Sequence, residues 1–267
     1  LLAGLGASLL YCGVADADDV HFLVDGVSGP LAEKLAHALP FVVIGSQADR
    51  LEETEMSASL RLKDALEAYG YYSAHWTERR EKGAHGKYLI IFSVTLGRPI
   101  LVRKIDLKSA GAGHNLPALQ KLFTQFPLHK EDILDQITYE EWKGKVLSFL
   151  NARGYAHADY SRHEIRMDRD QFWADIYLWL NTGPRFHFGD IKITGAEHYP
   201  RWFIQRYLSF KTGDWYSPKA LALTQSNLRN ADRFSDISVT SDLDKAKNDA
   251  IPVTVDLKSM SAQHLKI

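Results

Sequence analysis

The chain reads as an α+β array of three tandem modules, each β-α-α-β-β, each giving a three-stranded mixed sheet with two helices on one face. Three observations predict this. Gly70-Tyr71 and Gly154-Tyr155 each close a helical pattern and stand 84 residues apart. Gly97 followed by Pro99 and Gly183 followed by Pro184 close two strand patterns, 86 apart. Ile105 with Leu107, and Ile191 with Ile193, alternate inside strands that are again 86 apart. One period shared by unrelated elements marks a repeat; a coincidence of α+β segments in one larger fold is the alternative.

The elements follow in order. Val20 to Val24, Val102 to Leu107 and Phe188 to Ile193 are short β-rich runs bounded by turn residues, and they open the modules. Leu31, Leu35 and Leu39, then Leu119, Leu122 and Phe126, then Phe203 and Tyr207 recur at helical spacing and mark the first helices. Leu62, Leu66 and Tyr69 share a face in the second helix of module one, as do Trp142, Val146, Phe149 and Leu150 in module two. In module three Ser217-Pro218 supplies an N-cap and a proline at the first helical position, ahead of Leu221, Thr224 and Leu228. Gly70 and Gly154 fit the left-handed residue just past a helix end, where module three has Arg233-Phe234. Gly213-Asp214 precedes the last second helix, and Ile137-Thr138 stands at the matching place in module two. Hairpins at 72–78 with 87–96, 157–167 with 172–180 and 236–241 with 251–257 complete the copies. The predicted domains are 18–99, 100–184 and 185–260, with 1–17 as a leader remnant and 261–267 as a lead-in to whatever follows.

Thirty-two basic residues balance thirty-three acidic ones for a net charge of -1, and no block of five like charges occurs. That lacks the basic footprint of a nucleic-acid partner. Leu1 to Val14 is apolar and is followed by Ala15-Asp16-Ala17, which reads as the apolar region and cleavage site of a secretory signal peptide. It falls short of the roughly 20 residues that span a bilayer; a buried or anchoring helix is the alternative. Cys12, the single cysteine, lies inside this leader, so the mature chain has no thiol for a disulfide, a zinc site or a nucleophile. Leu10 and Tyr11 before it are not the small residues of a lipoprotein anchor.

Gly111-Ala112-Gly113 sits between a strand and a helix, but Leu116 replaces the third glycine of a dinucleotide fingerprint. No His-Glu-x-x-His occurs, His157 and His163 lack a third ligand, and His187 alternates between Phe186 and Phe188. Asp16, Asp18 and Asp19 lack the glycine and terminal glutamate of a calcium loop. Gly26-Val27-Ser28-Gly29 has the wrong spacing for a nucleophile elbow. No catalytic, cofactor-binding or metal-ligating residue is therefore predicted.

The third module is the most specific. Arg185-Phe186-His187-Phe188-Gly189-Asp190-Ile191 leading to Gly195, Phe210 to Ser217, and Leu228 to Val239 resemble the last polypeptide-transport-associated (POTRA) domain before the barrel in outer-membrane assembly proteins of the Omp85 superfamily. Gly26-Val27-Ser28-Gly29 and Ala68-Tyr69-Gly70-Tyr71-Tyr72 resemble those of the translocation and assembly module. The resemblance runs from Val20 to about Leu257. It implies a periplasmic, non-enzymatic scaffold ahead of a C-terminal barrel in a Gram-negative outer membrane. Its implied partners are unfolded β-barrel substrates, autotransporters among them, and a TamB-like inner-membrane-anchored protein docked on the first module. It also implies a central final strand, leaving the first and second strands as edges that an extended segment can join by strand addition. The candidate edge residues are Tyr72, Ser73, Ala74, His75 and Trp76, then Ala158, Asp159 and Tyr160, then Ile237, Ser238 and Val239. Another Omp85-type assembly or two-partner secretion protein, a division-type protein with one such module, and, in another class, a periplasmic hydrolase are the alternatives.

Overall fold

The computed structural model describes residues 19–39, 42–43, 49–83 and 87–260; the leader with Cys12 and the 261–267 lead-in lie outside the described residues. The first sheet is built from β1 (Asp19–Asp25), β2 (Val42–Val43), β3 (His75–Lys82) and β4 (Tyr88–Thr95), with helices α1 (Pro30–Ala38) and α2 (Asp49–Ala68). The second has β5 (Leu101–Ala110), β6 (Asp159–Asp168) and β7 (Trp173–Asn181), with α3 (Pro117–Thr124) and α4 (Gln136–Asn151). The third has β8 (His187–Thr194), β9 (Phe234–Ser241) and β10 (Ala250–Ser259), with α5 (Arg201–Gln205) and α6 (Pro218–Arg229).

Strand order is β2-β1-β4-β3, β5-β7-β6 and β8-β10-β9. The last strand of each module is therefore central. β4 lies parallel to β1 and antiparallel to β3, and β10 relates to β8 and β9 in the same way. Side chains explain the choice: the last strands carry the densest apolar runs, burying Ile90, Phe92 and Val94, then Ala174, Ile176, Leu178 and Leu180, then Ile251, Val253, Val255 and Leu257. A strand flanked on both sides and covered by helices needs such a run.

The chain forms two compact units, one from residues up to Leu101 together with Ile133–Gln136 and Arg169–Phe172, the other from Val102–Asp132, Ile137–Asp168 and Trp173 onward. In the first, Val20, Leu35, Leu62, Leu66, Ile90 and Phe92 make the core. In the second, Phe126 and Trp142 meet edge to face at 5.0 Å, and Phe188 stacks on Phe210 at 3.9 Å among Ile204, Leu228 and Val255. Among the described residues no helix is long and apolar enough to cross a membrane.

Two details of the repeat differ from the sequence expectation. Asp232, not Arg233-Phe234, takes the left-handed place after the last helix, with φ 49°, matching Gly70 at 84° and Gly154 at 93°. The counterpart of Gly213-Asp214 is Glu131-Asp132, not Ile137-Thr138. Glu131 holds φ 76° where Gly213 holds 90°, and the amides of His129 and Lys211 donate to the Asp132 and Asp214 carboxylates at 2.6 and 3.0 Å.

Candidate strand-pairing edges

The start of each first strand is closed by the segment ahead of the second helix, which narrows the expectation that first strands are open edges. In the first unit Val42 and Val43 pair antiparallel with Val20 and Asp19, Leu101 bridges Ile133, and the Leu134 amide donates to the Ile100 carbonyl at 2.9 Å. In the second unit Val102 donates to the Asp132 carbonyl at 2.8 Å and accepts from the Glu131 amide at 2.7 Å. Phe188 repeats both bonds with Asp214 and Gly213, each at 2.8 Å. Backbone groups used here are not available to an incoming chain.

Second strands β3, β6 and β9 are edges, and they differ in character. The β3 ladder starts at His75, opposite Thr95, so Tyr72, Ser73 and Ala74 lie in the turn before it. That turn is tied by the Tyr71 amide on the Leu66 carbonyl and the Ala74 amide on the Tyr71 carbonyl. Tyr72 is half-buried: its hydroxyl accepts from Gln136 Nε2 at 2.5 Å and Arg169 lies 4.5 Å from its ring, while burial pushes its phenol pKa up. Trp76 Nε1 donates to Ser59 Oγ and Glu78 Oε1. Arg80 forks onto Glu55, and Arg79, Glu81 and Lys82 are exposed. Charges of this kind discourage nonspecific edge pairing.

In module two the same turn recurs, with the Tyr155 amide on the Leu150 carbonyl and the Ala158 amide on the Tyr155 carbonyl. The ladder therefore opens at Asp159, leaving Ala158 outside it. A bulge between Tyr160 and Arg162 kinks the edge. Tyr160 is buried and donates to the Lys143 carbonyl at 3.2 Å. Arg166 and Arg162 both grip Glu164 and hold its carboxyl below the usual carboxylate range. On β9, Ser235, Asp236, Ser238 and Thr240 are exposed, Ile237 and Val239 turn toward the core, and Gln225 Nε2 donates to the Ile237 carbonyl at 3.2 Å. The candidate residues thus lie on three separate strips and do not converge on one site.

Two further surfaces stand out, the first on a strand that sequence reasoning named as an edge without singling out its residues, the second missed altogether. One is the remainder of β8, beyond Phe188, which faces α5 across a groove. There the Gly189 carbonyl accepts from Thr212 Oγ1 at 2.9 Å and the Ile191 carbonyl from Arg201 Nη2 at 3.2 Å. The run Tyr199-Pro200-Arg201-Trp202-Phe203 was its only signal. The other is the outer face of β7, where Trp173, Tyr177 and Trp179 are overlaid by cations: Arg103 at 3.3 Å from Trp173, Arg162 at 4.0 Å from Tyr177 and Lys108 at 4.4 Å from Trp179. Arg103 also holds Asp175 through two bonds of 2.9 and 2.6 Å, which lowers the pKa of that carboxyl. The period-two spacing of these aromatics was its signal. Gly111-Ala112-Gly113 is a structural turn, its Ala112 and Gly113 amides donating to the Gly183 carbonyl and Thr182 Oγ1 at 3.1 and 2.8 Å. Among the described residues no group of three or more His, Cys, Asp or Glu could hold a metal ion.

The family model for POTRA, described as surface antigen variable number repeat, matches residues 186–259. Similar solved structures include POTRA domains 3–5 of BamA from Haemophilus influenzae, 15% identical, covering 93% of this chain and 100% of that one at a TM-score of 0.49. POTRA domains 1–3 of the periplasmic domain of Omp85 from Anabaena are 15% identical, covering 93% of this chain and 98% of that one, with a TM-score of 0.35. CdiB from Acinetobacter baumannii is 14% identical over 61% of this chain, which spans only 30% of that protein, at a TM-score of 0.34. Residues 186–259 carry the match to the POTRA family model, and the two modules before them place the last strand between the first and second in the same way, module one adding the short β2 between its helices.

Proposed function

We propose that the chain is the periplasmic scaffold of a TamA-like, Omp85-type outer-membrane assembly factor, binding rather than catalysing. Its work is to assist insertion and secretion of autotransporters and other β-barrel proteins, with modules at 18–99, 100–184 and 185–260. One observation carries this reading: in every module the last-made strand is central and the second strand is left at the edge. Such an edge offers backbone donors and acceptors, which an extended substrate can pair with at little cost in side-chain specificity. His75 and Trp76, Asp159 and Tyr160, and Ile237, Ser238 and Val239 lie on those edges.

The test is site-specific photo-crosslinking in cells from positions 76, 160 and 239. Substrate adducts from at least one position are expected; adducts from none would remove strand addition at these edges. A TamB-like partner anchored in the inner membrane is assigned to the first module. Deleting 20–96 is expected to abolish its capture in a pull-down, and undiminished capture would move the docking site elsewhere.

A further inference from the structure

We infer that the outer face of helices α5 and α6 is a membrane-contact face, which lies on a phospholipid surface with anionic headgroups and seats Trp202 at the level of those headgroups. The inference rests on the reading of this chain as the periplasmic part of an outer-membrane protein and deepens it. It concerns the helical layer of the third module, not the strand edges.

Charge supplies the first argument. Between Tyr199 and Ala231 stand five cations, Arg201, Arg206, Lys211, Lys219 and Arg229, against one carboxylate, Asp214. That carboxylate is taken up by the Lys211 amide at 3.0 Å. Helices α5 and α6 themselves carry no acidic residue, whereas α2 has Glu52, Glu53 and Glu55 among its charges. In a chain whose charges balance to -1, this segregation gives one face the complement of an anionic surface. Glu197, just ahead of α5, accepts from the Gly195 amide at 3.1 Å, and Arg201 is held on the Ile191 carbonyl. Arg206, Lys219 and Arg229 remain exposed.

Aromatic packing supplies the second. Tyr199, Phe203 and Tyr207 recur every four residues and form a ridge, the first two stacked at 5.2 Å and the last two edge to face at 5.5 Å. Trp202 stands beside Phe203 at 6.1 Å with 64% of its surface exposed. Arg206 lies over the rings of Phe203 and Tyr207 at 5.6 and 5.3 Å. The face continues onto α6, where Asn227 donates to the Tyr207 carbonyl at 3.1 Å. One turn before Asn227, Leu223 is 49% exposed, and one turn before that stands Lys219; residues four apart share a helix face.

A single exposed tryptophan needs no explanation. Tryptophan and leucine set among arginine and lysine, with tyrosine beside them, have the composition that settles at a bilayer interface: the apolar rings enter the headgroup layer while the cations meet phosphates. An acidic protein would satisfy the cations alone. Lipid takes the cations and the exposed apolar side chains together.

The experiment uses the chain without its leader 1–17, with vesicles of phosphatidylethanolamine and phosphatidylglycerol beside vesicles of phosphatidylcholine. Binding is read by co-sedimentation, and insertion by quenching of tryptophan fluorescence with brominated acyl chains. The expected result is binding to the anionic vesicles alone, weakened by salt, about 5-fold weaker in Arg206→Gln and about 10-fold weaker in Trp202→Ser. Both side chains are exposed, so neither change opens the core. Trp202→Phe is expected to keep most of the binding and lose most of the quenching. Equal binding to phosphatidylcholine, unchanged binding by Trp202→Ser, or quenching retained in Trp202→Phe overturns the face. Absence of vesicle binding overturns it too, and substrate adducts still obtained from positions 76, 160 or 239 would then leave the scaffold reading standing. Vesicle binding as expected without any such adducts upholds the face and removes strand addition at those edges.

Discussion

Glu131 and Asp232 hold φ values of 76° and 49°, at places where the other copies have Gly213, Gly70 and Gly154. A left-handed residue with a Cβ carries about 1–2 kcal/mol of strain, and glycine's greater freedom in the unfolded chain offsets part of its relief. Glu131→Gly and Asp232→Gly are therefore each expected to add up to about 1 kcal/mol, visible as a rise of a few degrees in thermal midpoint. Gly195→Ala goes the other way: at φ 73° its new Cβ would fall on the Leu257 carbonyl oxygen of the central strand, costing more than about 2 kcal/mol. At Asp175, the bonds from Arg103 lower the folded-state pKa. The stabilisation from this pair is complete above the ordinary aspartate value and is lost as pH falls through the depressed one. Asp175→Asn should flatten that acid limb in denaturation measured against pH. These residues also mark where the sequence ceases to be legible. Gly70 and Gly154 announce their conformation by type, whereas Glu131 adopts the same one under constraint from the bonds at Val102, and nothing in its identity says so.

At the scale of elements, the central strands were legible because burial on both flanks demands apolar runs such as Tyr88–Phe92 and Ile251–Leu257. The helices were legible from faces such as Leu62, Leu66 and Tyr69. The closing of the first strands was not, since it is made of backbone bonds from 131–134 and 213–216, to which side-chain identity contributes little. The starts of β3 and β6 were placed up to three residues early for the same reason: Ala74 and Ala158 have strand-like neighbours but spend their amides in turns. Phe188 joins the closed start of β8 to the core through Phe210 and Tyr216. Phe188→Ala is expected to cost about 3–5 kcal/mol, lowering the denaturant midpoint and loosening protection of the 213–214 amides together.

For the whole molecule, the two compact units can be followed separately. Among the described residues Trp76 is the single tryptophan of the first unit, and Trp142, Trp173, Trp179, Trp202 and Trp215 belong to the second. A variant keeping only Trp76 and the single variant Trp76→Phe should give unfolding curves with different midpoints when followed by fluorescence; coincident curves would mean one cooperative block. The tandem plan was readable from the period of the repeat, while the division into units was not, because it passes through segments such as Ile133–Gln136 rather than between modules. The central place of the last strand also sets a timetable. As the chain emerges, β1, β5 and β8 must wait for β4, β7 and β10, so a module cannot seal its core until its final residues appear. Folding therefore advances in steps of one module, and at each step the most apolar strand is exposed for the shortest time.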